Sequence, residues 1–135
     1  ICYTLVNRYE KVCIGRNYVY QVREELNYDL MKEAAKYFLG KHDFKAFKTN
    51  GSSVKTSVRT ISGLELELKD DVIKIFVSAD GFLYNMVRII VGTLIEVGKG
   101  KIKPEDIESI IRNGDRSNAG PCVPPNGLVL EKVFY

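Results

Sequence analysis

The chain has 135 residues, 45% of them hydrophobic and 27% charged, which fits one core and argues against disorder, a collagen-like repeat or a disulfide scaffold. A formal charge of +3 and a pI near 8.7 are compatible with a polyanionic partner without requiring one. Cys2, Cys13 and Cys122 stand at scattered spacings beside a single histidine, which excludes a zinc pattern and implies a reducing, cytoplasmic setting, and no apolar run reaches the ~20 residues of a membrane span.

Residues 1–6, rich in β-branched and aromatic side chains, predict an extended segment that opens without a turn or cap and reads as cut from something longer. A charged connection over 7–16 leads to a second extended segment at 18–22. Asn27 is placed to cap a helix over 28–39, with Leu26 and Met31 as a staple and Gly40 as the stop. Leu30, Met31, Ala34, Ala35 and Phe38 make its apolar stripe, and Lys32, Glu33 and Lys36 its solvated face.

Residues 40–58 read as a long irregular stretch around the turn signal Asn50-Gly51-Ser52-Ser53. Positive charge concentrates at Lys41, His42, Lys45 and Lys48 and again at Lys55 and Arg59, with Phe44 and Phe47 interleaved in the first group. Two readings stand. Aromatics among cations can stack bases beside phosphate contacts, or the two phenylalanines can be one core-facing turn among solvated lysines.

Leu64, Leu66 and Leu68 then alternate with Glu65 and Glu67, Lys69-Asp70-Asp71 turns the chain, and residues 72–79 return with Ile73, Ile75, Val77 and Ala79 on one face, which predicts a hairpin. Residues 80–98 predict a helix capped by Asp80, stopped by Gly98 and apolar round most of its circumference. Asn85, Arg88, Gly92 and Glu96 share the narrow stripe that is left. Arg88 is the only charge between Asp80 and Glu96, and a guanidinium stranded in apolar surroundings is too costly to persist. Either the stripe is the wet edge of the helix or something faces it. Gly92 favours the second reading, since a mid-helix glycine costs roughly 1 kcal/mol and admits a close neighbour such as a carboxylate or a nucleotide.

Pro104, with Glu105 and Asp106 in the first turn, opens a shorter helix to about residue 111 that ends near Gly114. Residues 115–127, with Pro121, Pro124 and Pro125, form a loop before a closing strand over 128–134. The pattern predicts an α+β fold, a mainly antiparallel or mixed sheet with helices packed on one face. The usual catalytic constellations are missing. His42 has no partner histidine, no Ser or Cys sits in a nucleophile turn, and Gly98-Lys99-Gly100-Lys101 lacks the spacing of a phosphate loop. The aromatic strand signature of an RNA-recognition domain is missing too.

Residues 82–94, Phe-Leu-Tyr-Asn-Met-Val-Arg-Ile-Ile-Val-Gly-Thr-Leu, resemble the F-x-x-x-M-V-R-x-I-V-G-x-L motif of the TruA family of tRNA pseudouridine synthases. Three further stretches are similar to that family in the same order: residues 39–47 (Leu-Gly-Lys-His-Asp-Phe-Lys-Ala-Phe), 58–61 (Val-Arg-Thr-Ile) and 124–130 (Pro-Pro-Asn-Gly-Leu-Val-Leu). The family's nucleophilic aspartate lies in a Gly-Arg-Thr-Asp-Ala-Gly motif that has no match here, since Arg59-Thr60 is followed by Ile61. The resemblance therefore implies the C-terminal half of a catalytic domain, one domain over 1–135, with the N-terminal half of its own polypeptide missing. In the family's Tyr-x-Tyr strand, Tyr3 matches the second tyrosine and Ile1 stands at the first.

The resemblance implies isomerisation of uridine to pseudouridine in tRNA, in the anticodon arm, with no metal or cofactor, on a homodimeric, cytoplasmic enzyme without a membrane role. The uridine is flipped out because its reacting atoms are inaccessible in a stack. The aspartate attacks, and the base detaches, rotates and rejoins through carbon. Arg88 takes the place of the arginine that holds that aspartate ionised. Leu128, with Tyr3 and Phe82, falls on the substrate side, and Lys41, His42, Lys45, Lys48, Lys55 and Arg59 are candidates for tRNA contact. Without the aspartate the chain alone is expected to be inactive, and Arg88 to reach for water, a stray anion or Glu96. A non-catalytic RNA-binding or assembly module on the same scaffold is the alternative, and a structural domain with no nucleic-acid role a blander one.

Overall fold

The computed structural model describes residues 1–8, 19–49 and 56–129. Cys13, Lys55, the Asn50-Gly51-Ser52-Ser53 turn, most of the charged connection and most of the closing strand lie outside them. In chain order the strands are β1 (Cys2–Asn7), β2 (Tyr20–Val22), β3 (Gly40–Asp43), β4 (Val58–Lys69), β5 (Val72–Ala79) and β6 (Leu128–Val129). The helices are α1 (Tyr28–Ala35), α2 (Met86–Gly98) and α3 (Asp106–Asn113).

The sheet runs β2-β1-β5-β4-β3, with β6 also on β1. The β1–β2 pairing is parallel and the rest are antiparallel, so the sheet is mixed and the fold α+β. The β4–β5 hairpin forms as its alternation predicts: Leu64, Ile73, Ile75 and Val77 are buried, while Glu65, Lys74 and Ser78 are exposed. A bulge corrects the register. Ile61 pairs with Ala79 and Gly63 with Ser78, so Ser62 is an extra residue, and Ile61 and Leu64 both reach the core despite their opposite parity. Leu68, expected on the same face as Leu64, is 46% exposed at the far end of the hairpin.

Asn27 caps α1 as expected, its side chain accepting from the Leu30 amide at 3.2 Å. The helix is shorter than its apolar stripe, however. Regular α geometry ends at Ala35, a 3-10 turn over Lys36–Phe38 carries Phe38 into the core, and Gly40, at φ +99°, opens β3 instead of stopping the helix. β3 is a strand where an irregular stretch was expected. Its Gly-Lys-His-Asp sequence is polar throughout because it is an edge strand, paired only with β4, with Lys41 and Asp43 exposed.

Phe44 and Phe47 are fully buried with Phe38, their rings in edge-to-face contact at 5.2 and 6.2 Å. They belong to the core and offer no face to a base. Ile107, Ile110 and Ile111 of α3 join the same core, and Gly114, at φ +66°, ends that helix.

α2 begins five residues later than the sequence suggests, its N-cap being Asn85. Asp80 does not cap it. Its carboxylate accepts from the Thr60 amide at 2.9 Å, tying off the open end of the β4–β5 hairpin, and residues 81–85 carry the chain from sheet to helix. Once begun, α2 is buried on nearly every side, and only Arg88 and Glu96 keep partial exposure. The Asn27 amide donates to the Gly98 carbonyl at 2.8 Å, joining the start of α1 to the end of α2. No helix among the described residues is long and apolar enough to cross a membrane.

Candidate active site

The stripe of α2 that holds Arg88 is not a wet edge. Residues 120–123 lie along it as a strap. The Gly120 amide donates to Thr93 Oγ1 at 2.9 Å, and Thr93 Oγ1 itself donates to the Ile89 carbonyl at 2.8 Å, so a buried hydroxyl is fully engaged. Gly92 admits the Pro121 peptide, not the carboxylate or nucleotide its position suggested: a Cβ built there would lie 1.7 Å from the Pro121 carbonyl oxygen. A Cβ on Gly120 would lie 2.6 Å from the backbone of Gly92 and Thr93. Two glycines therefore allow backbone to rest on backbone, which no side chain at either position permits.

The strap positions the arginine. Arg88 Nε donates to the Val123 carbonyl at 2.7 Å, and the Val123 amide returns to the Arg88 carbonyl at 3.4 Å. Arg88 Nη1 donates to Asn85 Oδ1 at 2.8 Å. Asn85 is the first residue ahead of α2 and sits at φ +62°, a left-handed conformation that asparagine tolerates better than most residues. Its side chain does not cap the helix. Nδ2 donates instead to Thr49 Oγ1 at 3.0 Å, while the Thr49 amide donates to the Tyr84 carbonyl at 3.1 Å. The guanidinium is thus held on two sides by groups that carry no negative charge, and among the described residues no carboxylate pairs with it.

Glu96 is not the fallback partner the sequence suggested. It lies two turns on and is flanked by Lys99 at 3.8 Å and Lys101 at 3.9 Å. Arg88 makes protein contacts of its own and is not an orphan cation reaching for water.

Tyr3 lies beneath the end of the strap. Its hydroxyl donates to the Pro124 carbonyl at 2.6 Å, its ring is fully buried, and Gly127 rests against it. Burial pushes the phenol well above its ordinary range, with Arg88 close enough for its charge to oppose the shift. Tyr3 pairs with Leu128 across the β1–β6 ladder. The structure thus brings Arg88, Tyr3 and Leu128 to one segment, residues 121–128, although they are far apart in sequence. Tyr3 has no exposed surface and meets the site through Pro124. Phe82 is half-buried against the core in the connection before α2.

The basic residues divide. His42 and Arg59 are cross-strand partners between β3 and β4, and Lys41 sits exposed beside them. His42 Nε2 donates to the Leu39 carbonyl at 2.8 Å, and Arg59 Nη1 donates to the Thr56 and Val58 carbonyls at 2.8 and 2.7 Å, so both are partly occupied by their own backbone. Lys45 and Lys48 instead line a cavity of about 610 Å³ with Thr49, Gly114 and Arg116. Sequence reasoning missed Arg116 and the linking role of Asn85. Only the Asp115-x-Ser117 turn, in which Asp115 accepts from the Ser117 amide at 2.9 Å, marked the place of Arg116. No cluster of three or more His, Cys, Asp or Glu among the described residues could hold a metal ion.

A family model described as tRNA pseudouridine synthase matches residues 34–135. Over 133 residues the chain is 66% identical to tRNA pseudouridine synthase A of Clostridium botulinum, covering 98% of this chain and 54% of that protein. It is 63% identical over 134 residues to tRNA pseudouridine synthase A 2 of Clostridium perfringens, covering 99% and 55%. A more distant relative, tRNA pseudouridine synthase A of Acetivibrio thermocellus, is 49% identical over 133 residues. The chain spans about half the length of the curated relatives it matches.

Proposed function

Because this chain belongs to the tRNA pseudouridine synthase family, we propose that it is the C-terminal half of that enzyme's catalytic domain and supplies the arginine side of an isomerase active site. The observation that carries the reading is the Arg88 guanidinium, fixed by Val123 and Asn85 on a largely apolar helix and lacking a carboxylate partner among the described residues. Such an arrangement suits an aspartate contributed by the missing N-terminal half. Arg88 would hold that aspartate ionised as the nucleophile, in the way an adjacent guanidinium lowers a carboxylate pKa by ~1 to 3 units.

In the completed site the aspartate attacks a flipped-out uridine of tRNA, the bond from the base nitrogen to the sugar breaks, and the base turns and rejoins the sugar through carbon. The aspartate is released, the proton on that carbon leaves and the freed ring nitrogen takes one up from solvent, so that atoms are conserved and no redox partner enters. Leu128 and the strap before it form the wall against the base. Phe82 is proposed to face the substrate as well, and Tyr3 supports the wall through Pro124. Lys41, His42, Lys45, Lys48, Lys55 and Arg59 contribute tRNA contacts, and the enzyme works in the cytoplasm. A mass-spectrometric assay for pseudouridine in tRNA tests this: the chain alone yields none, and the polypeptide completed with the nucleophile-bearing half yields it. Product from the chain alone would overturn the half-domain reading.

The completed enzyme is also proposed to be a homodimer. Among the described residues the sheet ends in β2 on one side and β3 on the other, and open strand edges seek partners. Sedimentation giving a strictly monomeric species at all concentrations contradicts this.

A further inference from the structure

We propose that Lys45, Lys48 and Arg116 form a pocket that seats a backbone phosphate of the RNA beside Arg88, an inference that rests on tRNA being the substrate. The three cations come from two places far apart in the sequence, Lys45 and Lys48 from the 3-10 turn over Lys45–Phe47 and its C-cap, and Arg116 from the loop that follows α3. They meet around a cavity of about 610 Å³ whose other lining residues among those described, Thr49 and Gly114, are uncharged. Gathering like charges on a concave surface without an acid is unfavourable unless an anion completes it.

Nearby carboxylates are engaged by other donors. Asp43 accepts from the Lys45 amide at 3.2 Å and from Ser57 Oγ. Asp115 accepts from the amide and hydroxyl of Ser117 at 2.9 and 2.7 Å. Lys45, Lys48 and Arg116 enter no ion pair among the described residues. Gly114, at φ +66°, lets the Lys45 stem lie against it, with 3.5 Å to Lys45 Cδ from the point where a Cβ would stand.

Both sides of the pocket are continuous with the arginine site. Thr49 accepts from Asn85, which accepts from Arg88. Arg116 Nη1 donates at 2.8 Å to the carbonyl of Gly120, the residue that begins the strap. A phosphate seated here is therefore held in a pocket joined through Thr49 to Asn85, which accepts from Arg88, and through Arg116 to the start of the strap, so the pocket sets the register of the RNA on the site. Phosphate contacts position the nucleic acid without reading its sequence.

The test measures tRNA binding by the full-length protein carrying Lys45→Gln and Lys48→Gln together, across a range of KCl concentrations. Losing the neutralisation of that one phosphate makes the log–log salt slope shallower by about 0.7 to 0.9, which is about fivefold weaker binding near 0.15 M salt. Neither lysine side chain makes a structural hydrogen bond among the described residues, so the pair is readable even if Arg116→Gln, which loses its bond to Gly120, folds poorly. Lys36→Gln with Lys69→Gln removes equal charge elsewhere and leaves the slope unchanged. Wild-type affinity and slope in the Lys45/Lys48 variant, or an equal loss in the Lys36/Lys69 variant, overturns the pocket. Pseudouridine formation is scored separately on the same samples: its absence from wild type strikes the functional reading, while the binding comparison still decides the pocket.

Discussion

Replacing Gly92 by alanine should destabilise this protein, against the ordinary sign for a mid-helix glycine. By helix propensity alone the substitution stabilises by about 1 kcal/mol. Here the new Cβ would begin 1.7 Å from the Pro121 carbonyl oxygen, and the strap must recede until that distance reaches the 3.4 Å of ordinary contact. Two hydrogen bonds depend on the strap staying in place, Arg88 Nε to the Val123 carbonyl at 2.7 Å and the Gly120 amide to Thr93 Oγ1 at 2.9 Å. A bond from a charged donor contributes about 1.5–3 kcal/mol and a neutral one about 0.5–1.5, so their loss less the propensity gain leaves about 1–3.5 kcal/mol of destabilisation. Urea unfolding of wild type and variant side by side measures the difference. A variant more stable than wild type by about 1 kcal/mol would refute the argument, since the strap would then be lying loosely on the helix.

Asn85→Ala should cost more than Asn85→Gly by the roughly 1–2 kcal/mol that a left-handed conformation costs a residue with a Cβ, because both lose the bonds to Arg88 and Thr49 while only glycine accepts φ +62° freely; equal melting temperatures would contradict this. Tyr3→Phe should lose about 1 kcal/mol at neutral pH with its bond to Pro124. It should also flatten the alkaline limb of the stability curve. Burial holds the folded phenol above its ordinary 10.0, so its contribution is intact below about pH 10 and is lost as the pH rises, the unfolded chain ionising first. An unchanged alkaline limb would show that Tyr3 ionises as readily folded as unfolded. Arg88→Met should destabilise by about 1.5–3 kcal/mol, because Val123 and Asn85 lose a charged donor. Arg88→Lys should recover part of that, without the planar fork that reaches both acceptors.

What could be read from the chain depended on whether a residue's role was local. The β4–β5 hairpin was legible because Ile73, Ile75 and Val77 alternate with polar neighbours on a half-buried surface. β3 was not, since an edge strand of Gly-Lys-His-Asp has no apolar period to detect. Asp80 satisfied the local chemistry of a helix cap and of a strand end equally well, and only the pairing with Thr60 decided between them. The same holds at the site. A close approach to Gly92 was legible from its place in the helix, but its partner came from Pro121, about thirty residues away in a proline-rich loop with no periodic signal. Arg88 stood out as a lone cation. Arg116 did not, because the pocket it completes exists only when two segments far apart in the sequence, residues 45–49 and 114–116, fold together.

The measurement that bears most directly on the account is pseudouridine formation in tRNA by the full-length protein, wild type against Arg88→Met. Both should be assayed under conditions where the variant's melting curve shows it folded. The account predicts steady conversion of uridine by wild type and a loss of at least about a hundredfold with methionine, the order expected when a preorganised electrostatic partner is removed from a reacting centre. Near-wild-type turnover in folded Arg88→Met would take Arg88 out of the active site and contradict the account.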